Sequence, residues 1–276
     1  MSQTSADQAD LPAFRQPQTP KGRRFRSWRV IMALILREIG SRDSRSSLGF
    51  LWSVIDPIGT IILLSFAFSI IMRTPRLGTN FPLYYVTGVV PFHLYSQISN
   101  RVAGSVRFSR QLLGFPSVTV LDALFARFIL NILIDVLVFI VLTWGILAYY
   151  HLRVYVDIQS AMLSIAMAGA LALGVGTFNC VLFIAVPSYE NLWGIVSRPL
   201  FLASGVIFLI NDLPAPVFHI LWWNPAAHVV GEMRHAFFPG YDAAYVTPAY
   251  VFLFSLTAFV IGLVTLQRFV FDALDR

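Results

Sequence analysis

Three groups of polar residues in this 276-residue chain have types and spacings that chemistry can use. His228, Glu232 and His235 fall at i, i+4 and i+7, on one face of a helix. Imidazole and carboxylate together suggest a metal site, but a zincin carries Glu directly after the first His, and this spacing differs. The set reads as polar groups near an interface, with no metal expected. A membrane-embedded glycosyl- or acyltransferase using His228 and His235 is the enzyme alternative. Arg127, Asn131 and Asp135 stand at i, i+4 and i+8 in an apolar stretch. Charge at membrane depth is costly and marks a pairing or a pathway. Asp135 is the deepest acid, so it is either a proton-relay carboxylate or half of a clamp between helices, toward His93 or Asn179. The clamp is favoured, because a relay uses several ionisable groups at depth and the sequence offers effectively one. The third group is defined by a lack. A phosphate-cradling loop needs Gly-Lys-Ser/Thr, and the single lysine, Lys21, lies between Pro20 and Gly22. No G-x-S-x-G nucleophile elbow occurs, and Ser204-Gly205 reads as helix packing.

The elements that must hold these residues are apolar. Residues of the set AVILMFWYC make up 57% of the chain and charged residues 12%, against roughly 45–50% and about 25% in soluble domains. Too little charge is present to solvate a surface, and the apolar residues come in long blocks, so the solvent is a bilayer. That composition also argues against nucleic acid as the reason for a net charge of +6. Cys180 is the only cysteine, so no intrachain disulfide forms. Residues 1–25 lack an apolar run and contain Gln, Ser and Pro, which reads as a disordered tail without a signal peptide.

Six spans are expected: 52–72, 83–104, 124–150, 161–186, 195–210 and 248–271. The second is weakened by Pro91, His93, Gln97 and Asn100, and the fifth is short, with an Arg198-Pro199 break. A further apolar piece, Ala215 to Trp223, is bounded by Asn211-Asp212-Leu213-Pro214 and Asn224-Pro225. Residues 195–241 therefore read as one spanning helix followed by a re-entrant hairpin, since interrupted helices at membrane depth survive only where protein or a watery cavity covers the freed backbone. Of the twenty Lys and Arg residues, only Arg73, Arg76, Arg153 and Arg234 fall on the side opposite the N-terminus. That asymmetry predicts both termini in the cytoplasm and an even number of spans.

Ahead of the first span, Trp28, Ile31, Met32, Ile35, Leu36 and Ile39 form the apolar stripe of an interface helix, widened by Val30 and Leu34. Such a helix anchors at a lipid surface, docks a cytosolic partner, or both. Between the second and third spans, Val106 to Leu121 carries Leu112, Leu113, Phe115 and Pro116 in a loop otherwise expected to be wet; either a partner covers them or they fold back on neighbouring helix ends. Aromatic residues gather toward one end: Phe201, Phe208, Phe218, Trp222, Trp223, Phe237, Phe238 and Tyr241. They read as belt residues at headgroup level or as rings lining a watery path, where they would stack on sugar faces.

Three stretches resemble the membrane subunit of ABC-2-type (type V) polysaccharide exporters, in particular the capsular-polysaccharide branch. LILREIGSRDSRSSLGFLWSVIDPI (Leu34 to Ile58) looks like the family's amphipathic segment leading into the first helix. LLGFPS (Leu112 to Ser117) looks like its coupling segment, and WNPAAHVVGEMRHAFFPGY (Trp223 to Tyr241) like the stretch before its last helix. The resemblance runs from about residue 27 to the end. It implies an all-α, six-span protein with an amphipathic gate helix at 26–51 and the transmembrane domain at 52–276, its first and fifth spans lining the channel. It further implies a non-enzymatic homodimer that forms a continuous channel and binds two copies of an ATP-binding subunit. That subunit carries ATP and magnesium, so this chain needs no cofactor of its own. A lipid-linked polysaccharide would be threaded from cytoplasm to periplasm, across an inner membrane and toward a periplasmic polysaccharide co-polymerase. The resemblance places coupling at Arg107, Arg110, Leu112, Leu113, Phe115 and Pro116. It puts Arg37, Arg42 and Arg45 near a lipid phosphate. The aromatic cluster and the interrupted helices make Phe201, Phe208, Phe218, Trp222, Trp223, Phe238 and Tyr241 the candidate channel aromatics. The alternatives are an O-antigen or teichoic-acid exporter, or a proton-coupled secondary transporter using Asp135.

Overall fold

The computed structural model describes residues 23–45, 49–113 and 118–274, with side chains over 28–40, 52–109 and 118–268. These residues fold into α-helices, with no strand among them: α1 (Arg23–Arg45), α2 (Gly49–Ile71), α3 (Phe81–Ala103), α4 (Ser105–Leu113), α5 (Val120–Tyr149), α6 (Ile158–Ala185), α7 (Tyr189–Ala203), α8 (Ala215–Trp222), α9 (Pro225–Phe237) and α10 (Pro248–Leu274). The tail expected over 1–25 lies outside the described residues except for its last three positions, which already belong to α1.

Several helix starts are written locally. Asn80 accepts from the Leu83 amide and Pro82 occupies the first turn of α3, where a missing N–H costs nothing. Thr119 and Asp122 cap α5 reciprocally, as a capping box. Asp157 accepts from the Gln159 amide at the start of α6. The Ser160 hydroxyl, with help from backbone amides, pulls the Asp157 carboxyl below its usual value. Asn224 accepts from the Ala226 amide, with Pro225 next, so the Asn-Pro break is also the beginning of α9.

Among the described residues, four helices are long and apolar enough to cross a membrane: Trp52–Ile71, Val120–Tyr149, Ile158–Ala185 and Pro248–Arg268. The expected second and fifth spans differ from these for physical reasons. α3 has 23 residues, but Pro91 and its polar side chains dilute its apolar content. α7 has only 15 residues, about 22 Å at 1.5 Å per residue.

Helix α6 is the spine. Nearly three quarters of its most apolar window, 72%, is buried, against 11% for α2, as expected of a helix that is apolar all round. It packs against α3, α9 and α10 through small residues. A Cβ on Gly176 would lie 2.8 Å from the Ser99 carbonyl of α3, and one on Gly262 would lie 2.7 Å from the Phe178 nitrogen. A Cβ on Gly174 would collide with the Ser255 carbonyl of α10. In lipid, where apolar burial gives helices no reason to associate, such close approach supplies the packing. Helix α7, by contrast, buries none of its residues within the protomer.

The interface helix divides its apolar stripe. Leu34 and Glu38 are buried, and α1 packs mainly on α5, while Trp28, Met32, Leu36 and Ile39 point outward. The helix therefore has one apolar face packed on protein and a second left exposed.

Candidate functional site

A polar cleft of about 240 Å³ opens between α2, α3 and α5. Its depth comes from two helical stripes that face each other. On α3, His93, Gln97 and Arg101 are spaced i, i+4 and i+8; on α5, Asp135 projects from the corresponding stripe. The third wall is the first two turns of α2, with Trp52, Ser53 and Asp56. Asp56 Oδ2 lies 3.3 Å from His93 Nε2 and accepts from Gln97 Nε2 at 3.4 Å, and Arg101 donates to Ser53 Oγ at 3.4 Å. Asp135 thus shares a cleft with His93, one of its two expected partners. The other, Asn179, accepts from the Tyr189 hydroxyl at 3.2 Å instead. Asp135 is expected to be effectively the one acid at depth, but Asp56 stands in the same cleft. The signal for the cleft is the α3 repeat His93-Gln97-Arg101, whose polar residues in sequence only weaken an apolar span.

Toward the α1 end, Arg127 and Asn131 turn to other partners. The Arg127 guanidinium donates to the Arg101 carbonyl at 2.9 Å, places Nε 3.4 Å from buried Glu38 on α1, and covers the Phe108 ring at 4.1 Å. Asn131 donates to the Arg127 carbonyl one turn back, at 2.6 Å. Arg37 reaches the same Phe108 ring, 5.9 Å from its centroid. Arg42 and Arg45 have side chains outside the described residues. Arg107 is exposed on α4 and pairs with Glu190 at the start of α7, at 2.8 Å. The side chains of Arg110, Leu112 and Leu113, and all of Phe115 and Pro116, lie outside the described residues, although the α4 backbone runs to Leu113.

At the opposite end the chain is broken where a spanning helix would continue. α7 stops at Ala203, Gly205 adopts φ +72°, and an irregular segment leads to a 3-10 turn at Ile210–Asp212. Only glycine fits at 205, since positive φ strains other residues and a Cβ would meet Ile210 at 2.8 Å. The freed carbonyls have donors. Arg234 on α9 donates to Phe208 O at 2.9 Å and to Val206 O at 2.8 Å, and the Tyr84 hydroxyl donates to Ile207 O at 3.2 Å. Arg234 is 1% exposed and stacks 4.5 Å over the Tyr84 ring. Asn224 ties the break to Ser204 at 3.0 Å. A buried guanidinium thus replaces the missing helical donors, the condition that membrane depth imposes on irregular backbone.

The aromatic residues separate into two populations. Phe238 and Tyr241 are 8% and 4% exposed. These rings, expected along a pathway, are instead enclosed in the core, with Phe238 seated over Gly78. Phe201 packs edge-on against Phe92 at 5.2 Å. Phe208 lines a small pocket beside Tyr84, and Phe218 meets Tyr245 edge-on. Trp222 stacks on Tyr250 at 5.4 Å and donates to Tyr245 O. Trp223 is exposed.

His228 is consumed by this structure. Its Nδ1 accepts from the Thr247 amide at 3.1 Å, leaving Nε2 to donate to Trp222 O at 2.8 Å, the pattern of a neutral imidazole. His235 Nδ1 lies 3.2 Å from Tyr241 O. The two histidines join α9 to the end of α8 and to the loop before α10.

Residues 29–238 match the family described as ABC-2 type transporter. The chain belongs to that family. Its relatives include the polysialic acid transport protein KpsM of Escherichia coli, 30% identical over 85% of this chain and 91% of the relative. The capsule polysaccharide export inner-membrane protein CtrC of Neisseria meningitidis serogroup A is 27% identical over 87% of this chain and 91% of its own. BexB of Haemophilus influenzae, of the same description, is 25% identical over 94% and 96%. The ABC-2 match begins inside α1, runs through α9 and stops ahead of α10.

Proposed function

We propose that this chain is the channel-forming membrane subunit of an ATP-driven exporter that moves lipid-linked capsular polysaccharide from cytoplasm to periplasm. The observation that carries the reading is similarity along most of the chain to proteins named for polysialic acid transport and for capsule polysaccharide export. The lone lysine outside any phosphate loop supports an engine on another polypeptide, so ATP and magnesium are held by two ATP-binding subunits and this chain does no hydrolysis itself. Two copies form the channel in the inner membrane. Each crosses six times with both termini cytoplasmic, α3 and α7 completing the four more apolar spans, and residues 214–241 re-enter from the outer side. Exposed α2 and α7 line the path. α4 meets the ATP-binding subunit, Arg37, Arg42 and Arg45 meet the lipid phosphate, and a periplasmic co-polymerase receives the polymer.

The test is co-purification with an ATP-binding subunit, followed by ATP-dependent polymer uptake into sealed inverted vesicles. Failure of the chain to associate with any such subunit overturns the proposal. A second reading, proton-coupled transport, is favoured by the company Asp135 keeps with Asp56 and His93. Asp135→Asn separates the two. Export persists at reduced level in an ATP-driven machine and stops in a proton-coupled one, measured as polymer flux with an imposed pH gradient and without ATP.

A further inference from the structure

We infer that the outward face of α1 is a binding surface for anionic phospholipid headgroups, which it gathers from the surrounding leaflet in preference to zwitterionic ones. The inference goes beyond the exporter reading and does not depend on it.

Helix α1 is divided lengthwise into three strips. Leu34 and Glu38 are buried, and Glu38 lies 3.4 Å from Arg127 of α5, so the helix cannot roll about its axis without breaking a buried ion pair. Trp28, Met32, Leu36 and Ile39, at i, i+4, i+8 and i+11, form the exposed apolar strip. Arg29 and Arg37 are exposed along one edge of that strip, and the helical register sets Arg26 on the same edge. Contacts on the protein side thus fix which residues the surroundings meet: a run of large apolar side chains bordered by arginines.

The border has one sign. Between Asp10 and Glu38 the chain holds no acid, while Arg23, Arg24, Arg26, Arg29 and Arg37 all fall in α1. Glu38 faces α5, and Asp43 follows the strip between Arg42 and Arg45. Tryptophan and arginine each place an apolar body among acyl chains and a polar end among headgroups, and clustered arginines on an amphipathic helix attract the anionic ones. A second copy of this chain fits the face less well, because a two-fold contact would bring the same arginines against each other. The cargo phosphate proposed for Arg37, Arg42 and Arg45 belongs to the far end of the helix, with Arg42 about 20 Å from Arg29. Resident lipid is therefore the occupant at Arg26 and Arg29.

The experiment places the full chain in nanodiscs holding equal amounts of phosphatidylcholine and phosphatidylglycerol, with bromine on the acyl chains of one or of the other. Bromine quenches tryptophan on contact, and the Trp28 share is the difference between wild type and Trp28→Phe. No cargo is present, so only resident lipid is read. Brominated phosphatidylglycerol is expected to quench the Trp28 share about twofold more than brominated phosphatidylcholine. Arg26→Gln combined with Arg29→Gln should bring the two lipids level, and Arg26→Lys with Arg29→Lys should keep the preference. Salt at about 1 M, where the Debye length is about 3 Å, should reduce it. The signal added by Ile39→Trp reads the other end of the strip without relying on Trp28→Phe. Equal quenching by the two lipids at both positions overturns the inference and leaves a plain apolar anchor. Quenching by neither lipid also overturns it and marks a face covered by protein. So does a preference that survives both the glutamine pair and high salt. None of these outcomes bears on whether an ATP-binding subunit associates, so the exporter reading is tested separately.

Discussion

Arg234 shows how much one side chain decides at the break after α7. Counting basic residues by loop placed it among the few charges outside, because such counting assumes that arginine is wet. The structure buries it against carbonyls that the end of α7 leaves unpaired. Hydrogen bonds to a charged donor contribute about 1.5–3 kcal/mol each, so Arg234→Ala, which also orphans the two carbonyls, should lower stability by about 3 kcal/mol or more. Arg234→Lys, a point charge without the planar fork, should recover only part of that. Thermal unfolding of the purified protein in detergent measures both. His228 carries the same lesson with the opposite sign: its spacing suggested chemistry, and its partners show a structural joint.

At the scale of elements, helix ends were legible and helix depth was not. Asn80-x-Pro82, Thr119-x-x-Asp122 and Asn224-Pro225 announce α3, α5 and α9 because capping is local chemistry. Which helix becomes the spine depends on who packs against whom, and α6 resembles α5 in composition while differing in burial. Only its glycines hinted at this. Gly174→Ala puts a methyl onto the Ser255 carbonyl, and overpacking of this kind costs about 1–3 kcal/mol. The expected outcome is a lower melting temperature, with Gly194→Ala, where a Cβ meets open space, close to neutral. The Arg107–Glu190 pair joins α4 to α7. An exposed ion pair contributes only about 0–1 kcal/mol to stability, so its consequence is mechanical. Arg107→Glu or Glu190→Arg alone should reduce export per ATP hydrolysed with little change in melting temperature, and the double exchange should restore it. Flux and ATPase rates measured together check this.

For the whole molecule, the family and the all-helical architecture were readable in scarce charges, long apolar blocks and three quoted stretches. The polar cleft was not, because it needs three helices brought together and no single stretch contains it. The Trp223–Tyr241 stretch was legible as a signature, yet its burial of Phe238 and Tyr241 was not, since aromatic type alone does not tell a core ring from a pathway ring. The proposed orientation is open to direct measurement. In a Cys180→Ser background, Arg153→Cys should react with a membrane-impermeant maleimide on intact cells and Arg268→Cys only after lysis. The reverse pattern would invert the topology.

Helix α7 is fastened near its two ends, by Glu190, Trp193 and Tyr189 at one and by the Ser204 region at the other, and buries nothing between. Support for the fold is therefore carried by the α3–α6–α9–α10 framework, and α7 hangs from it like a stave held at its fastenings, its outward face turned away from the packing.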